Sequence, residues 1–367
     1  MSEVRVGING RVLTKPNPGG VGRYTHRLLA ELAADSEGAY ECSPVAVGAA
    51  GTSDLPDGVE VTGTVPTHSG LRAHLWEQVS LPRVLTSEKY DVFHTPAGHP
   101  PVLSGTPLVT TIHDISPITH PEWFSDAYVT LYRVLTPLAV RASDCIITVS
   151  EFARDEIVDV YPAAAGKTTA IYNGVTPRDP TDAEPVDSLN SGQFLLFVGA
   201  VNPRKNLSGL LRGYRQYRQR TDDPLSLVLV GPDDDVFAST DLPPVNGVRR
   251  FGFVSESKLT WLYDHAALLV FPSLYEGFGL PILEAMSVGT PVVTSDRGAT
   301  AEVADDAAHL VDPTEPAAIA SGIQDVLGDD EYHETLSQRG ESHSAQFSWT
   351  QTAHRTLEVY HKSIDKS

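Results

Sequence analysis

Apolar residues along the chain fall into short unbroken runs, separated by longer stretches in which they recur every three or four positions. "VRVGI" (Val4 to Ile8) is one such run and reads as a strand buried on both faces. A loop rich in glycine and proline follows, "NGRVLTKPNPGGVG", and then "RYTHRLLAELAA", whose apolar residues keep helical spacing. The alternation continues through the strands "DVFHT" (Asp91 to Thr95), "PLVTTIHD" (Pro107 to Asp114) and "DCIITVS" (Asp144 to Ser150). Helical patterns such as "DAYVTLYRVLTPLAVRA" lie between them, and Ser150 is placed to cap the helix beginning "EFARDEIV".

The rhythm breaks at "TPRDPTDAEPVDSLNSGQ" (Thr176 to Gln193), a polar, acidic, proline-rich stretch that reads as a hinge between domains. It resumes with the strands "FLLFVG", "LSLVLVG", "VRRFGFV", "LLVFPS" and "PVVTS", interleaved with a helix from Leu207, "SKLTWLYDHA" and "LPILEAMSVG". The pattern predicts an α/β protein with two parallel sheets in tandem and leaves their strand order open. The divisions are a first domain over residues 1–176, a linker over 177–192, a second domain over 193–346 and a helical tail over 347–367.

Composition narrows the function. The 367 residues carry 47 acidic and 27 basic side chains, a formal net charge of −20. Nucleic-acid binders need a basic face for phosphate, so that class is disfavoured, as is broad attachment to anionic lipid. Only 7 of the basic residues are lysine; acid-rich, lysine-poor composition suggests a salt-rich, halophilic cytoplasm in which screening suppresses self-repulsion, with an ordinary acidic mesophile as the alternative. Cys42 and Cys145 are too few for a metal cluster or a disulfide framework, and Cys145, within "CIITV", reads as a core residue. The opening "MSEVRVGING" lacks the basic lead and long apolar run of a signal peptide. No run approaches the ~20 apolar residues of a membrane span. The expectation is a cytoplasmic protein.

Ligands of open α/β sheets collect beyond the carboxyl ends of the strands, and the unusual residues lie there. "FVGAVNPRKNLSGLL" places Arg204 and Lys205 between a strand and a helix that opens near Asn206, a combination suited to a diphosphate. In "LYEGFGLPILEA" the glycines permit positive φ, Pro281 fits a first helical turn, and Glu276 and Glu284 flank the turn. A carboxylate in the first turns of a helix answers the helix dipole; it is also a good acceptor for the vicinal hydroxyls of a ribose, and Glu276 can reach sugar hydroxyls nearby. His113, in "TTIHD", ends a strand of the first domain and could donate to a sugar oxygen or help hold a transferring hexose, or simply be a histidine satisfied by its neighbours. The glycines of "NPGGVGRYTHRLL" precede a helix expected to start near Val21, where backbone amides can meet an anion or sugar; Arg23 is either a ligand there or a solvated helix residue. The dinucleotide fingerprint GxGxxG, the Walker loop, the Gly-x-Ser-x-Gly elbow and HExxH do not occur. Asp233 to Asp235 read as a solvated acidic turn rather than a metal site.

Together "GGVGRYT", "TIHDISPITHPEWFS", "TVSEFARDEI", "IYNGV", "GAVNPRKN" and "FPSLYEGFGLPILEAMSVGTPVVTSD" resemble the retaining glycosyltransferases of family 4, in a branch with mannosyltransferases. The resemblance covers nearly the whole chain. It implies the GT-B fold: two Rossmann-like, doubly wound domains facing a cleft, with the tail helix crossing back to the first. By it, Arg204 and Lys205 bind the donor diphosphate, Glu276 lies near the transferred sugar and Glu284 on the ribose. Phe278, Gly279 and Leu280 present backbone amides, His113 lies near the sugar, and Gly20 and Gly22 form a loop over the phosphates. No metal or other cofactor is implied. The expected donor is GDP-mannose, with a UDP-sugar second. The acceptor is a glycan or lipid-linked glycan built at the inner membrane face, with transient membrane association. Competing readings are a nucleotide-sugar epimerase or phosphorylase of the same fold, and a non-catalytic sugar- or nucleotide-binding protein; a glycosidase would need its two carboxylates to flank the sugar.

Overall fold

The computed structural model describes residues 4–14, 19–34, 42–47, 49, 55–63, 71–187, 189–231 and 245–366; Asp233 to Asp235 lie outside them. The chain divides into two compact units. One comprises residues 1–115, 130–174 and 348–367, the other residues 116–129 and 175–347. The segment read as a linker therefore groups with the second unit, as does a piece of the expected first domain.

The first unit is built on strands β1 (Val4–Asn9), β2 (Cys42–Val47), β3 (Glu60–Thr62), β4 (Val92–Thr95), β5 (Leu108–Thr111), β6 (Cys145–Thr148) and β7 (Thr168–Ala170). All pair in parallel, in the order β3-β2-β1-β4-β5-β6-β7. Parallel strands need crossovers, and the helices cover both faces. Ala46 joins one core with Leu28, Leu29 and Leu32 of the helix Gly19–Ala34 and with Trp349, Leu357 and Tyr360 of the tail helix Trp349–Ile364. Its neighbours Val45 and Val47 join the opposite core with Trp76, Leu81 and Leu85. The period-two alternation of the strand assigns successive residues to the two faces, and burial of these side chains, at roughly 25 cal/mol per Å2 of apolar surface, holds the layers together. Cys145 is buried in the first of these cores.

The second unit repeats the plan with β8 (Phe194–Val198), β9 (Ser226–Val230), β10 (Val248–Phe251), β11 (Leu268–Phe271), β12 (Val292–Ser295) and β13 (His309–Val311). Their order is β10-β9-β8-β11-β12-β13, again parallel. In each sheet the chain winds outward from its first strand and then returns to that strand's other side. The switch points lie between β1 and β4 and between β8 and β11, where loops diverge and open a crevice at the strand carboxyl ends. Among the described residues, no helix is long and apolar enough to cross a membrane.

Candidate active site

The second unit's switch point holds most of the expected residues. After β8 a short 3-10 turn, Pro203–Lys205, carries Arg204 and Lys205, and Asn202 caps it by accepting from the Lys205 amide. Asn206 follows in the left-handed region, at φ 55°. Its side chain accepts from the Gly209 amide, capping the helix Leu207–Arg220, and donates to the carbonyls of Pro272 (3.0 Å) and Pro313 (2.6 Å). The Leu274 amide donates to the Arg204 carbonyl at 2.7 Å. The loops after β8, β11 and β13 are thereby tied together.

After β11 the turn carries Glu276. Lys205 Nζ lies 2.6 Å from Glu276 Oε1 and 4.6 Å from the centre of the Phe271 ring; both charged side chains are nearly buried. The ammonium sits off the hydrogen-bonding direction of Oε1, which accepts no hydrogen bond among the described residues, so lone-pair capacity remains for a hydroxyl. Gly279 takes φ +118° at the N-cap of the helix Leu280–Met286, with Pro281 in its first turn; an L side chain at Gly279 would be strained. Of the two glycines in the turn, only Gly279 uses positive φ.

Glu284, on that helix, is also buried, and both of its oxygens are engaged. Oε1 accepts from Arg178 Nη2 at 3.1 Å and Oε2 from the Tyr263 hydroxyl at 2.8 Å. Arg178 also donates to Thr260 (3.1 Å) and lies 4.8 Å from the Tyr263 ring centre. A carboxylate accepts at both oxygens, the arrangement a vicinal diol needs.

In the first unit His113 stands just past β5, edge-on to Tyr24 at 4.9 Å. Its Nε2 is 2.9 Å from the Pro96 carbonyl, and a carbonyl only accepts, so Nε2 carries the proton. Burial lowers the pKa of His113, against the opposing pull of that carbonyl. Neutral His113 thus offers Nδ1 as an acceptor. The expectation that it donates to a sugar oxygen is corrected: its N–H is committed to backbone. Gly20 and Gly22 lie not in a loop but in the first turns of the helix Gly19–Ala34, two residues earlier than the expected start, and Tyr24 brings that end of the helix to His113. Arg23 is half-buried on the same helix.

The family model "Glycosyl transferases group 1" matches residues 181–343, and "Glycosyltransferase Family 4" matches residues 18–179. The O-antigen chain mannosyltransferase B of Escherichia coli is 37% identical over 264 residues, 69% of each chain. The chain belongs to glycosyltransferase family 4. This glycosyltransferase also shares its fold with sucrose-phosphate synthase from Thermosynechococcus elongatus (20% identity, TM-score 0.73, all of both chains). The Anabaena HepE protein, solved in complex with UDP-glucose, is similar too (20% identity, TM-score 0.68, 97% of this chain and 99% of that one). The architecture is GT-B, two Rossmann-like domains, and the enzyme is a hexosyltransferase.

Three features of the transferase were not read from sequence. Arg178 lies in the stretch that reads as a hinge, yet its side chain is 7% exposed and pairs with Glu284; an arginine in an otherwise acidic, proline-rich segment is the available signal. Tyr275, beside Glu276, is held edge-on by His120 (5.4 Å) and Trp123 (6.2 Å), which stack on each other at 4.1 Å. Past β10, a cavity of about 480 Å3 is lined by Phe251, Phe253, Val254, Pro185 and Val186, with Lys258 among its polar residues. It adjoins the capped start of the helix Glu256–His265, whose Glu256 lies 3.4 Å from Arg178.

Proposed function

We propose that this glycosyltransferase moves a hexose, mannose in the first instance, from a nucleoside diphosphate to a hydroxyl of a glycan or lipid-linked acceptor, with retention and without a metal ion. The observation that carries the reading is the pair of buried charge clusters at one switch point, Lys205–Glu276 and Arg178–Glu284. A diphosphate contacts Arg204, Lys205 and the amides of Phe278, Gly279 and Leu280. The ribose diol donates to Glu284. The base occupies the cavity at Phe251 and Phe253, where aromatic rings can stack on a flat heterocycle and Glu184, Asp187, Ser255 and Lys258 can bond its polar edge. Sugar hydroxyls donate to Glu276; in the first unit His113 Nδ1 is an acceptor for a sugar hydroxyl, and the helix start at Gly20 and Gly22 offers backbone amides to an anion.

The donor C1–O bond breaks toward the diphosphate, and the departing charge is met by Arg204, Lys205 and the amides in a preorganised site. The acceptor oxygen bonds C1 from the same face, and its proton passes to the departing phosphate oxygen. These cations take the part a metal takes elsewhere, so chelator should leave turnover unchanged. The 37% identity to a mannosyltransferase favours GDP-mannose. A UDP-sugar is the second reading, favoured by the fold shared with the UDP-glucose-bound HepE protein. The acidic, lysine-poor composition supports cytoplasmic work at high salt. Leu75, Val79 and Leu103 are exposed, with Arg72 and Arg83 near the first two in sequence; they support transient membrane contact that is local, apolar and basic.

The test is a panel of nucleotide sugars in high salt, reading nucleotide release and thermal shift together, with a chelator arm and NMR of the product anomer. Arg204→Ala should cost about 10²- to 10³-fold in turnover, as removal of one such donor does, while the protein stays folded. Near-normal turnover would remove Arg204 from the role.

A further inference from the structure

Four buried polar side chains of the first unit are joined in one hydrogen-bonded chain to which the reading above gives no task. His94, on β4, lies between the tail helix and β5: its Nδ1 is 2.7 Å from the Tyr360 hydroxyl and its Nε2 is 2.8 Å from Thr111 Oγ1. Thr111 Oγ1 is in turn 3.1 Å from the hydroxyl of Tyr24, on the helix Gly19–Ala34. Each of the four is at most 2% exposed. The chain has one proton order. Among the described residues the Tyr24 hydroxyl bonds only Thr111, and a buried O–H without an acceptor is costly, so Tyr24 donates. Thr111 accepts that hydrogen and gives its own to His94 Nε2. Burial pushes the pKa of His94 down to about 3, so the ring is neutral. Its one hydrogen is then on Nδ1 and is donated to the Tyr360 oxygen.

The chain ends beside His113. Tyr24 stands edge-on to that ring at 4.9 Å, and the His113 Nε2 hydrogen goes to the carbonyl of Pro96, two residues past His94. A single hydrogen bond leaves an imidazole free to swing about it. The Tyr24 ring removes that freedom and sets the direction in which Nδ1 points. Tyr24 also lies 6.2 Å from Trp349, in the first turn of the tail helix. The tail helix therefore holds Tyr24 at its ring through Trp349 and at its hydroxyl through Tyr360, His94 and Thr111.

We propose that Tyr24, Thr111, His94 and Tyr360 are positioning residues for His113: the chain fixes the Tyr24 ring, and the ring aims His113 Nδ1. The task of Nδ1 toward a sugar hydroxyl rests on the function proposed above; the aiming of the imidazole does not. The proton order makes the link sensitive to single atoms. Tyr360→Phe takes the acceptor from the His94 Nδ1 hydrogen. His94 can then satisfy its hydrogen only by carrying it on Nε2 and donating to Thr111. Thr111 must turn its own hydrogen toward Tyr24, and the Tyr24 hydrogen is left without an acceptor. Thr111→Val, close to isosteric, strands the same hydrogen directly. In both variants Tyr24 leaves its place and His113 loses its aim. A displacement of about 1 Å at a reacting group can cost about 10²-fold in rate.

The experiment uses the full chain with isotope-labelled histidine, the signals of His94 and His113 being assigned from His94→Gln and His113→Gln. Long-range nitrogen–proton spectra tell a bare ring nitrogen from a protonated one. In the parent they should place the hydrogen of His94 on Nδ1 and that of His113 on Nε2. Tyr360→Phe should move the His94 hydrogen to Nε2, and both Tyr360→Phe and Thr111→Val should shift the His113 ring signals. Transfer turnover should drop about tenfold or more in each, while UDP and GDP affinity stays within about twofold. Thr111→Ser, which keeps the hydroxyl, should recover the His113 signals and most of the turnover. Should Thr111→Val unfold, Tyr360→Phe carries the test. A lower melting temperature with unmoved His113 signals marks a merely structural chain and would overturn the proposal. So would His113 signals that move without loss of turnover in a protein that His113→Gln inactivates. If His113→Gln transfers normally, the transfer reading of His113 fails, and moved signals still uphold the positioning.

Discussion

The Lys205–Glu276 pair makes a quantitative prediction about stability. Removing either partner strands the other charge in a nearly dry site. At 2.6 Å and an effective dielectric constant near 20, the mutual attraction is about 6 kcal/mol, set against a desolvation cost of several kcal/mol per ion. Lys205→Met and Glu276→Met should therefore each destabilise the protein by about 3–5 kcal/mol, while the double variant, which buries no charge, should fall within about 1 kcal/mol of the parent or above it. For a unit of this size, 1 kcal/mol moves Tm by roughly 2–4 °C, so each single variant should melt about 6–20 °C lower. Urea unfolding followed by near-UV circular dichroism gives the cycle, provided both singles stay folded at low temperature. All three variants should lose transfer activity, which separates the pair's contribution to stability from its part in the reaction. Additive losses in the double variant, or singles within 1 kcal/mol of the parent, would refute the description of the pair as two buried charges that hold each other in place.

Further outcomes follow from other residues. Arg178→Leu should cost about 3–5 kcal/mol by stranding buried Glu284 and should weaken nucleotide binding; a variant of parental stability would show that Glu284 does not depend on it. Glu284→Gln should weaken UDP or GDP binding by about 10- to 100-fold, as expected for losing charged hydrogen bonds to a diol, measured by calorimetry. Burial drives the pKa of His94 down to about 3 and that of His99 to about 4. Below pH 6.5 the unfolded chain binds protons these rings refuse. Their contribution is therefore fully present above pH 6.5 and is lost as pH falls toward those values, by about 1.4 kcal/mol per pH unit per ring. The urea midpoint should drop between pH 6.5 and 5, and less so in His94→Gln; an unchanged slope would contradict the buried, neutral assignment. Leu75→Glu with Val79→Glu should abolish flotation with vesicles containing anionic lipid while leaving nucleotide binding intact, and persistent flotation would place any membrane contact elsewhere.

The legible parts of the fold were those with strong apolar runs. Strands such as "FLLFV" and "CIIT" stand out because both faces are buried. The strands the pattern did not reveal are β2, β3, β7 and β13: β2 carries Pro44, and the other three are short outer strands, "EVT", "TTA" and "HLV". An outer strand has a partner on one side only, so its sequence carries less of the buried signature. Strand order was invisible because it depends on crossovers rather than on local pattern. At the site, spacing pointed to Glu276, Glu284, Arg204 and Lys205, but who neutralises whom was not legible. Arg178 reaches Glu284 across 106 positions and Tyr360 reaches His94 across 266; proximity of that kind exists only once the sheets have formed.

Asn206 has a consequence for anyone who would re-engineer this enzyme. One amide side chain fastens the turns that follow three separate strands, so those turns cannot be exchanged piecemeal. A chimera importing the Glu276 turn from a relative with another sugar preference would meet a latch cut for the original carbonyl positions of Pro272 and Pro313. Successful grafts will have to move all three turns as a block, together with the asparagine that bolts them.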